Sequence, residues 1–487
     1  MLPKPTALFD RDAEWADLAR FAADPGQGAR LALVYGRRRQ GKTLLLELLT
    51  EASHGFLFTA AEQSDVQNLA DLSSAYTSYV RAPGPVRFAS WPEAIDALLQ
   101  VGTQRAVPVV IDEFGYLIAQ NAAIPSLLQK ALSPRGRARQ ASRTRLILCR
   151  SALATMRRLL EGPAPLRGRA AMELLVHPFE FREAAHFWGL AGRWRTAAAV
   201  HALVGGTPAY RDFCAGDAPV DDDDLDPWVV RNLLNPSSPL FREGRILLAE
   251  DPDITNAAPY LAVLAAIAGG RTRRGEIAAA VGRAPGALHH PLSVLAEAAL
   301  IESHDDAFRA KRTSFTLAEP VLRLHQLVIR PNEARLTARR GTAVWSQSAD
   351  TVASRIYGPH FERLARAWTL LHASSTTLGG TPSRVQPTVL HRTNDRVSRE
   401  IDLVAIEHRP GSGDRVLAIG EAKWCARPIG TDQLDRLRAL RAQLPTGPAG
   451  VRLLLFSSAG FTAELTAAAA TAGDVELVDL PRLYTGS

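Results

Sequence analysis

Residues 31–43 read LALVYGRRRQGKT, and LLLELL follows at 44–49. The run 31–35 is apolar enough for a buried strand, and 44–49 continues as a helix. Between them Gly36, Gly41, Lys42 and Thr43 meet the spacing G-x-x-x-x-G-K-[ST]. That spacing, set between a strand and a helix, marks a phosphate-binding loop. Glycines let the backbone curl until successive N–H groups point at an anion. The helix starting near Lys42 adds its positive N-terminal end. Lys42 is expected to reach the β- and γ-phosphates, and the Thr43 hydroxyl to ligate Mg²⁺. Nucleotide binding is the first expectation.

Downstream, VPVVIDEFGYL spans 107–117. Residues 107–111 form a short β-branched run typical of a buried parallel strand, with Pro108 tolerable only near its start. Asp112 and Glu113 then fall at the strand's C-terminal end, where ligands gather in open α/β sheets. Asp112 fits the carboxylate that holds Mg²⁺ through water, and Glu113 the base that polarises the attacking water. A third strand, 145–149, runs into Arg150 and Ser151, placing a polar group where it would sense the γ-phosphate. Upstream, GFLFTAAEQ reads as another strand, 64–80 and 91–101 as helices, and 9–22 as a helix with Asp10 at its N-cap. Glu113 and the extra strands suggest the additional-strand class of ATPase. GTPases are disfavoured, because no guanine-selecting N-K-x-D follows.

VYGRRRQGKT, VVIDEFGYL, LILCRSALATM, PLRGR and VGGTPAY occur in that order and resemble the archaeal-type ATPases, relatives of the AAA+ and signal-transducing ATPases. The resemblance implies ATP and Mg²⁺ as ligands. It puts Arg11, in an F-x-x-R-x-x-E opening, near the nucleotide base. It makes Ser151 the strand-end sensor, Arg167 and Arg169 part of a G-R pair, and Gly206 and Pro208 a lid motif with the proline near the nucleotide. Read without the resemblance, GGTP is a helix end followed by proline. The chain departs from the family at Arg150, where glycine usually precedes the sensor. Residues 221–226, DDDDLD, read as a solvated linker beyond the lid.

Residues 255–330 have the pattern of a winged helix: helices at 259–268, 274–281 and 285–298, then LIESH and RTSFTL as wing strands. Arg271, Arg273, Arg274 and Arg283 are candidates for phosphate contact, and His289 and His290 for a groove. A regulatory packing module is the competing reading. PVLRLHQLVI resembles the family's closing helix, with His325 and Gln326 replacing its usual aromatic pair. Residues 331–350 are polar and basic, as in a linker.

A second chemical site begins after 356. HFERLARAWTLL is an amphipathic helix carrying Glu362. REIDLVAIE places Asp402 in a strand, and VLAIGEAKW ends a strand in Glu421-Ala422-Lys423. Alternate strand residues face one way, so Glu421 and Lys423 point together, and Asp402 on the adjacent strand meets them. Two such carboxylates bind Mg²⁺, which polarises a scissile phosphate and acidifies a bound water. Lys423 would orient that water, Glu362 complete the metal shell, and Gln433 touch the phosphate. The order helix–strand–strand–helix–strand resembles the restriction-endonuclease-like fold, which often ends archaeal-type ATPases. A salt-bridged surface hairpin, or a nuclease fold kept only for binding, are the competing readings.

The expected fold class is α/β. It comprises a P-loop ATPase with a parallel sheet and helical lid (1–232), a winged helix (233–335) and a restriction-endonuclease-like domain (351–487). The net charge of +7 favours a polyanionic partner, DNA first, with RNA left open. Self-association is also left open. Cys149, Cys214 and Cys425 have neither metal-ligand nor disulfide spacing, which points to a reducing cytoplasm. The N-terminus lacks an apolar core of signal length, and the longest apolar run, 260–268, is too short to span a membrane, so no membrane partner is expected. The expected activity is ATP hydrolysis with Mg²⁺-dependent DNA cleavage under nucleotide control, with defence as the role that analogy suggests. The alternative is a non-cleaving ATP switch or scaffold.

Overall fold

A computed structural model describes residues 2–151, 164–250, 254, 256–391, 398–411 and 413–487. Residues 152–156 of the sensor stretch lie outside them. The chain divides into two compact units. The first holds 1–178 and Thr207–Ala209; the second holds Phe179–Gly206 and Tyr210–Ser487.

In the first unit, β1 (Arg30–Tyr35), β2 (Phe56–Thr59), β3 (Val107–Asp112), β4 (Thr144–Arg150) and β5 (Ala170–Leu175) form one sheet in the order β2-β3-β4-β1-β5. Every pairing is parallel. β4 therefore lies between the strand of the phosphate loop and the strand ending in Asp112, as the additional-strand class requires. Alternate residues of β1 serve two cores. Leu31 and Leu33 pack with Val109, Ile111 and Leu148 on one face, and Ala32 and Val34 with Val110, Ile147 and Leu46 on the other. With both faces covered, the central strands need continuous apolar runs. The helix Asp65–Val80 starts at a capping box made by Ser64 and Gln67. The first helix, Asp12–Ala23, is not capped by Asp10. Asp10 and Arg11 both take left-handed backbone, and Arg11 occupies the N-cap without a side-chain hydrogen bond there.

The second unit contains a mixed sheet ordered β12-β11-β10-β9-β8. Its strands are β8 (Arg384–His391), β9 (Ser398–Arg409), β10 (Gly413–Lys423), β11 (Arg452–Ser457) and β12 (Val475–Asp479). β8, β9 and β10 pair antiparallel, while β10, β11 and β12 pair parallel. Ahead of it come helices Ala257–Ala268, Arg274–Ala280 and His289–Glu297, then the hairpin β6 (Ile301–Asp306) and β7 (Arg309–Leu317). A single bridge pairs Arg273 with Ser314. One apolar cluster joins these parts, taking in Trp228, Leu264, Phe315, Trp368, Phe456 and Leu483.

One expected linker is corrected by this packing. Residues 331–350 are largely helical and send Val344 and Trp345 into that cluster; the Trp345 indole donates to Asp226 at 2.6 Å. The acidic run at 221–226 is solvated as expected, with Asp221, Asp222, Asp223 and Asp226 exposed, and it leads directly into helix Leu225–Asn232, which buries Trp228 and Val229. Apolar residues spaced within polar stretches carried that signal. Among the described residues no helix is long and apolar enough to cross a membrane.

Candidate functional site

The loop between β1 and helix Lys42–Ser53 has the geometry its glycines foretell. Gly36 sits at φ 155°, and a Cβ there would lie 2.3 Å from the Val176 carbonyl oxygen. Gly41 is the left-handed N-cap of the helix. Lys42 is buried, and its Nζ donates to the Arg37 carbonyl at 2.7 Å. Burial pulls its pKa below the usual lysine range, opposed chiefly by the Cys149, Glu113 and Asp112 side chains.

Around it the predicted residues form one connected chain. Thr43 Oγ1 donates to Asp112 Oδ2 at 2.7 Å, and the Glu113 backbone N–H donates to Asp112 Oδ1 at 2.8 Å. Glu113 adopts left-handed backbone (φ 48°) at the start of helix Phe114–Gln120, a conformation that costs a non-glycine residue energy and is often kept at functional sites. Ser151 Oγ donates to Glu113 Oε1 at 3.1 Å. Cys149, fully buried on β4, has its thiol pushed well up by burial and by the neighbouring Asp112. Arg150 crosses Gly115: a Cβ on that glycine would lie 2.5 Å from Arg150 Nε. The departure from the resembled pattern thus has a seat of its own in the fold.

Arg11 packs against the loop from the other side. It pairs with Glu14 at 2.8 Å and donates to the Gln40 carbonyl at 3.3 Å. Thr207–Ala209 also packs with this unit: Gln40 Nε2 donates to Thr207 Oγ1 at 3.2 Å, and the Ala209 N–H to the Arg39 carbonyl at 3.5 Å. Pro208 therefore stands in a segment held on the phosphate loop. Gln40 was not singled out by sequence, because it occupies a variable position of the motif. Arg167 and Arg169 lie in the turn before β5.

In the second unit, β9 and β10 bring Asp402 and Glu421 together. Asp402 Oδ2 accepts from the Ala422 N–H at 2.8 Å. Glu421 is buried; one oxygen meets Lys423 Nζ at 2.6 Å and Arg436 Nη2 at 3.5 Å, while Oε2 has no partner. Burial and then the Glu421 charge hold the Asp402 carboxyl above its usual range. Two buried carboxylates, one with an orphan oxygen, fit a divalent cation. The expected third carboxylate does not join them. Among the described residues no three His, Cys, Asp or Glu side chains converge as a metal set. Glu362 lies on helix Gly358–Leu371, at the wall of a separate cavity, with its pKa raised by burial and then by Asp402. Gln433 Nε2 donates to Asp432 at 2.8 Å. Arg436, one turn further along the same helix, reaches Glu421; the i,i+3 spacing from Gln433 was the available signal. Arg366 was also missed, and donates to the Asp402 carbonyl at 3.0 Å.

The parallel sheet with β4 inserted between β1 and β3, and Lys42, Thr43 and Asp112 at its carboxyl edge, decides the fold. The first unit has the fold of a P-loop ATPase. A Walker-type ATPase of Pyrococcus abyssi is similar over 66% of this chain and 96% of its own, at 20% identity and TM-score 0.52. The ORC2 protein of Aeropyrum pernix, solved in ADPNP and ADP complexes, aligns over 71% of this chain and 97% of its own, at 16% identity and a weaker TM-score of 0.47. No family model matches the sequence, and no curated protein does.

Proposed function

We propose that the chain is a Mg²⁺-dependent ATPase whose nucleotide state controls a DNA-acting C-terminal domain. The observation that carries the first half is the chain Thr43–Asp112–Glu113–Ser151 set beside Lys42. Thr43 and Asp112 would hold Mg²⁺, which shields the charge of the β- and γ-phosphates. Lys42 exchanges the Arg37 carbonyl for a phosphate oxygen. Glu113, fixed by its strained backbone, polarises the attacking water. Ser151, hydrogen-bonded to Glu113, couples that carboxylate to the end of β4. Arg11 and Pro208 would bound the nucleotide, a reading supported by the packing of Arg11 and of Thr207–Ala209 on the loop.

The helices and hairpin of 257–317 support a winged helix, offering Arg271, Arg273, Arg274 and Arg283 to nucleic-acid phosphates. Asp402 and Glu421 would hold the cation of a phosphodiesterase site, and that cation acidifies a bound water. Lys423 orients the water or offsets charge on the phosphate. The domain division 1–232, 233–335 and 351–487 belongs to this reading. The deciding experiment is a cleavage assay with Mg²⁺ or Mn²⁺ on linear, circular and single-stranded DNA and on RNA, with and without ATP. Cleavage lost in Asp402→Ala supports the nuclease. ATP turnover without cleavage of any substrate would leave the non-cleaving switch.

A further inference from the structure

Helix Gly358–Leu371 has two working faces. His360, Phe361, Leu364, Ala365 and Trp368 are buried, four of them in the main apolar cluster. Pro359, Glu362, Arg363 and Arg366, at i, i+3, i+4 and i+7, instead line a cavity of about 480 Å³ within the second unit. Its other walls include the end of helix Ala257–Ala268, the hairpin β6–β7, residues 320–323 and 354–355, and β8 and β9. The size suits one nucleotide-sized group.

The lining is unusually cationic. Arg273, Arg312, Arg323, Arg355, Arg363 and Arg366 face it, against the acids Asp306, Glu362 and Glu400. Arg363 is committed, to Glu302 at 2.6 Å and the Ala318 carbonyl at 3.0 Å. Asp306 is engaged as well, accepting from Thr388 at 3.0 Å and from the Phe308 N–H. Arg323 and Arg366, by contrast, hydrogen-bond only backbone carbonyls: Arg323 that of Arg355 at 3.4 Å, Arg366 that of Asp402 at 3.0 Å. Among the described residues neither they nor Arg355 form an ion pair. Burial lowers both Arg323, to about 10, and Arg366. The Glu362 carboxylate opposes that lowering at both arginines, and Asp402 does so at Arg366, but among the described residues neither guanidinium has a carboxylate in hydrogen-bond reach. A half-buried guanidinium left so is costly unless an anion meets it. Its planar fork matches phosphate oxygens.

We propose that this cavity binds a phosphate-bearing ligand through Arg323, Arg355 and Arg366. Two sources share that chemistry, a free nucleotide and a phosphodiester of a nucleic-acid strand. Occupancy would be felt at the candidate nuclease site, because Arg366 also holds the backbone of Asp402. The site itself stands whether or not the domain cuts.

The test uses the full chain with its phosphate loop saturated by ADP and Mg²⁺. The four nucleoside 5′-monophosphates are titrated by calorimetry, and an unphosphorylated single-stranded DNA 12-mer by anisotropy. Arg355→Gln, which is exposed, and Arg323→Gln are compared with wild type and with Arg20→Gln as a charge control. We expect at least tenfold weaker binding of one probe in both cavity variants, with the control unchanged. Loss for a monophosphate identifies a free nucleotide as ligand; loss for the 12-mer identifies a strand, with a shallower salt slope by nearly one unit per arginine. No binding of either probe by wild type overturns the proposal. So does equal weakening in Arg20→Gln, or unchanged affinity in folded Arg355→Gln.

Discussion

Lys42 and Glu113 occupy one network yet should fail in different ways. Lys42→Ala removes the ammonium that would leave the Arg37 carbonyl for phosphate, so nucleotide binding should be abolished when measured with a fluorescent ATP analogue. Glu113→Gln keeps the shape but cannot polarise water; it should bind ATP normally and hydrolyse it at least a hundredfold more slowly. Normal turnover by that variant would refute the assignment. These residues were readable because a phosphate loop imposes residue type and spacing locally. Asp10 was not, since a cap depends on backbone angles, and here Asp10 and Arg11 are both left-handed. Glu362 also misled. A carboxylate on an amphipathic helix signals burial beside the strands, but not which wall it faces. Its raised pKa has a consequence for stability. A folded value above the ordinary 4.5 means the folded state holds the proton longer, so this contribution is fully present below 4.5 and is lost as pH rises through the folded value. Glu362→Gln should therefore lose less stability than wild type between about pH 5 and about pH 9, read from urea midpoints.

Among the elements, position in the sheet decided what could be read. β1, β3, β4, β9, β10 and β11 are interior strands, and each shows an apolar core of three to five residues in sequence. The strands that escaped, β5, β8 and β12, are all edges. An edge strand is half solvated and its pattern is diluted by polar residues; β8 even carries Pro387. The helices at 257–297 were legible from their spacing, but their partner surface was not. If Arg271, Arg273, Arg274 and Arg283 contact DNA phosphates, replacing them should weaken binding and flatten the plot of log affinity against log salt by nearly one unit per lost contact. An unchanged slope assigns these helices to packing. Helix Gly358–Leu371 offers a stability test. Trp368 is fully buried, set edge-on to Phe456 with centroids 5.6 Å apart. Trp368→Ala should cost about 3–5 kcal/mol, seen as a lower denaturation midpoint.

At the scale of the molecule, the chain's route matters more than any single contact. It leaves the first unit after 178, returns for Thr207–Ala209 alone, and leaves again. Gly206, just before the return, is packed so that a Cβ would lie 1.9 Å from the Phe179 carbonyl oxygen, and the Phe179 N–H donates to the Gly206 carbonyl. Thr207 is held by Gln40 of the phosphate loop. These three residues are hydrogen-bonded to the phosphate loop, and on either side their chain continues into the unit that holds Asp402 and Glu421. ATP can shift the second unit only if it binds two arrangements of this strap with different affinity. Asp402→Ala, Glu421→Ala and Lys423→Ala should then abolish cleavage while leaving ATP hydrolysis largely intact, because all three belong to the second unit and the phosphate loop to the first. Lys42→Ala should change cleavage although every candidate nuclease residue is untouched. Gly206→Ala should uncouple the two: the strap is displaced, ATP hydrolysis persists in part, and the ATP-dependence of cleavage is lost. Cleavage by Lys42→Ala at the wild-type rate, with and without ATP, would show that the strap transmits nothing.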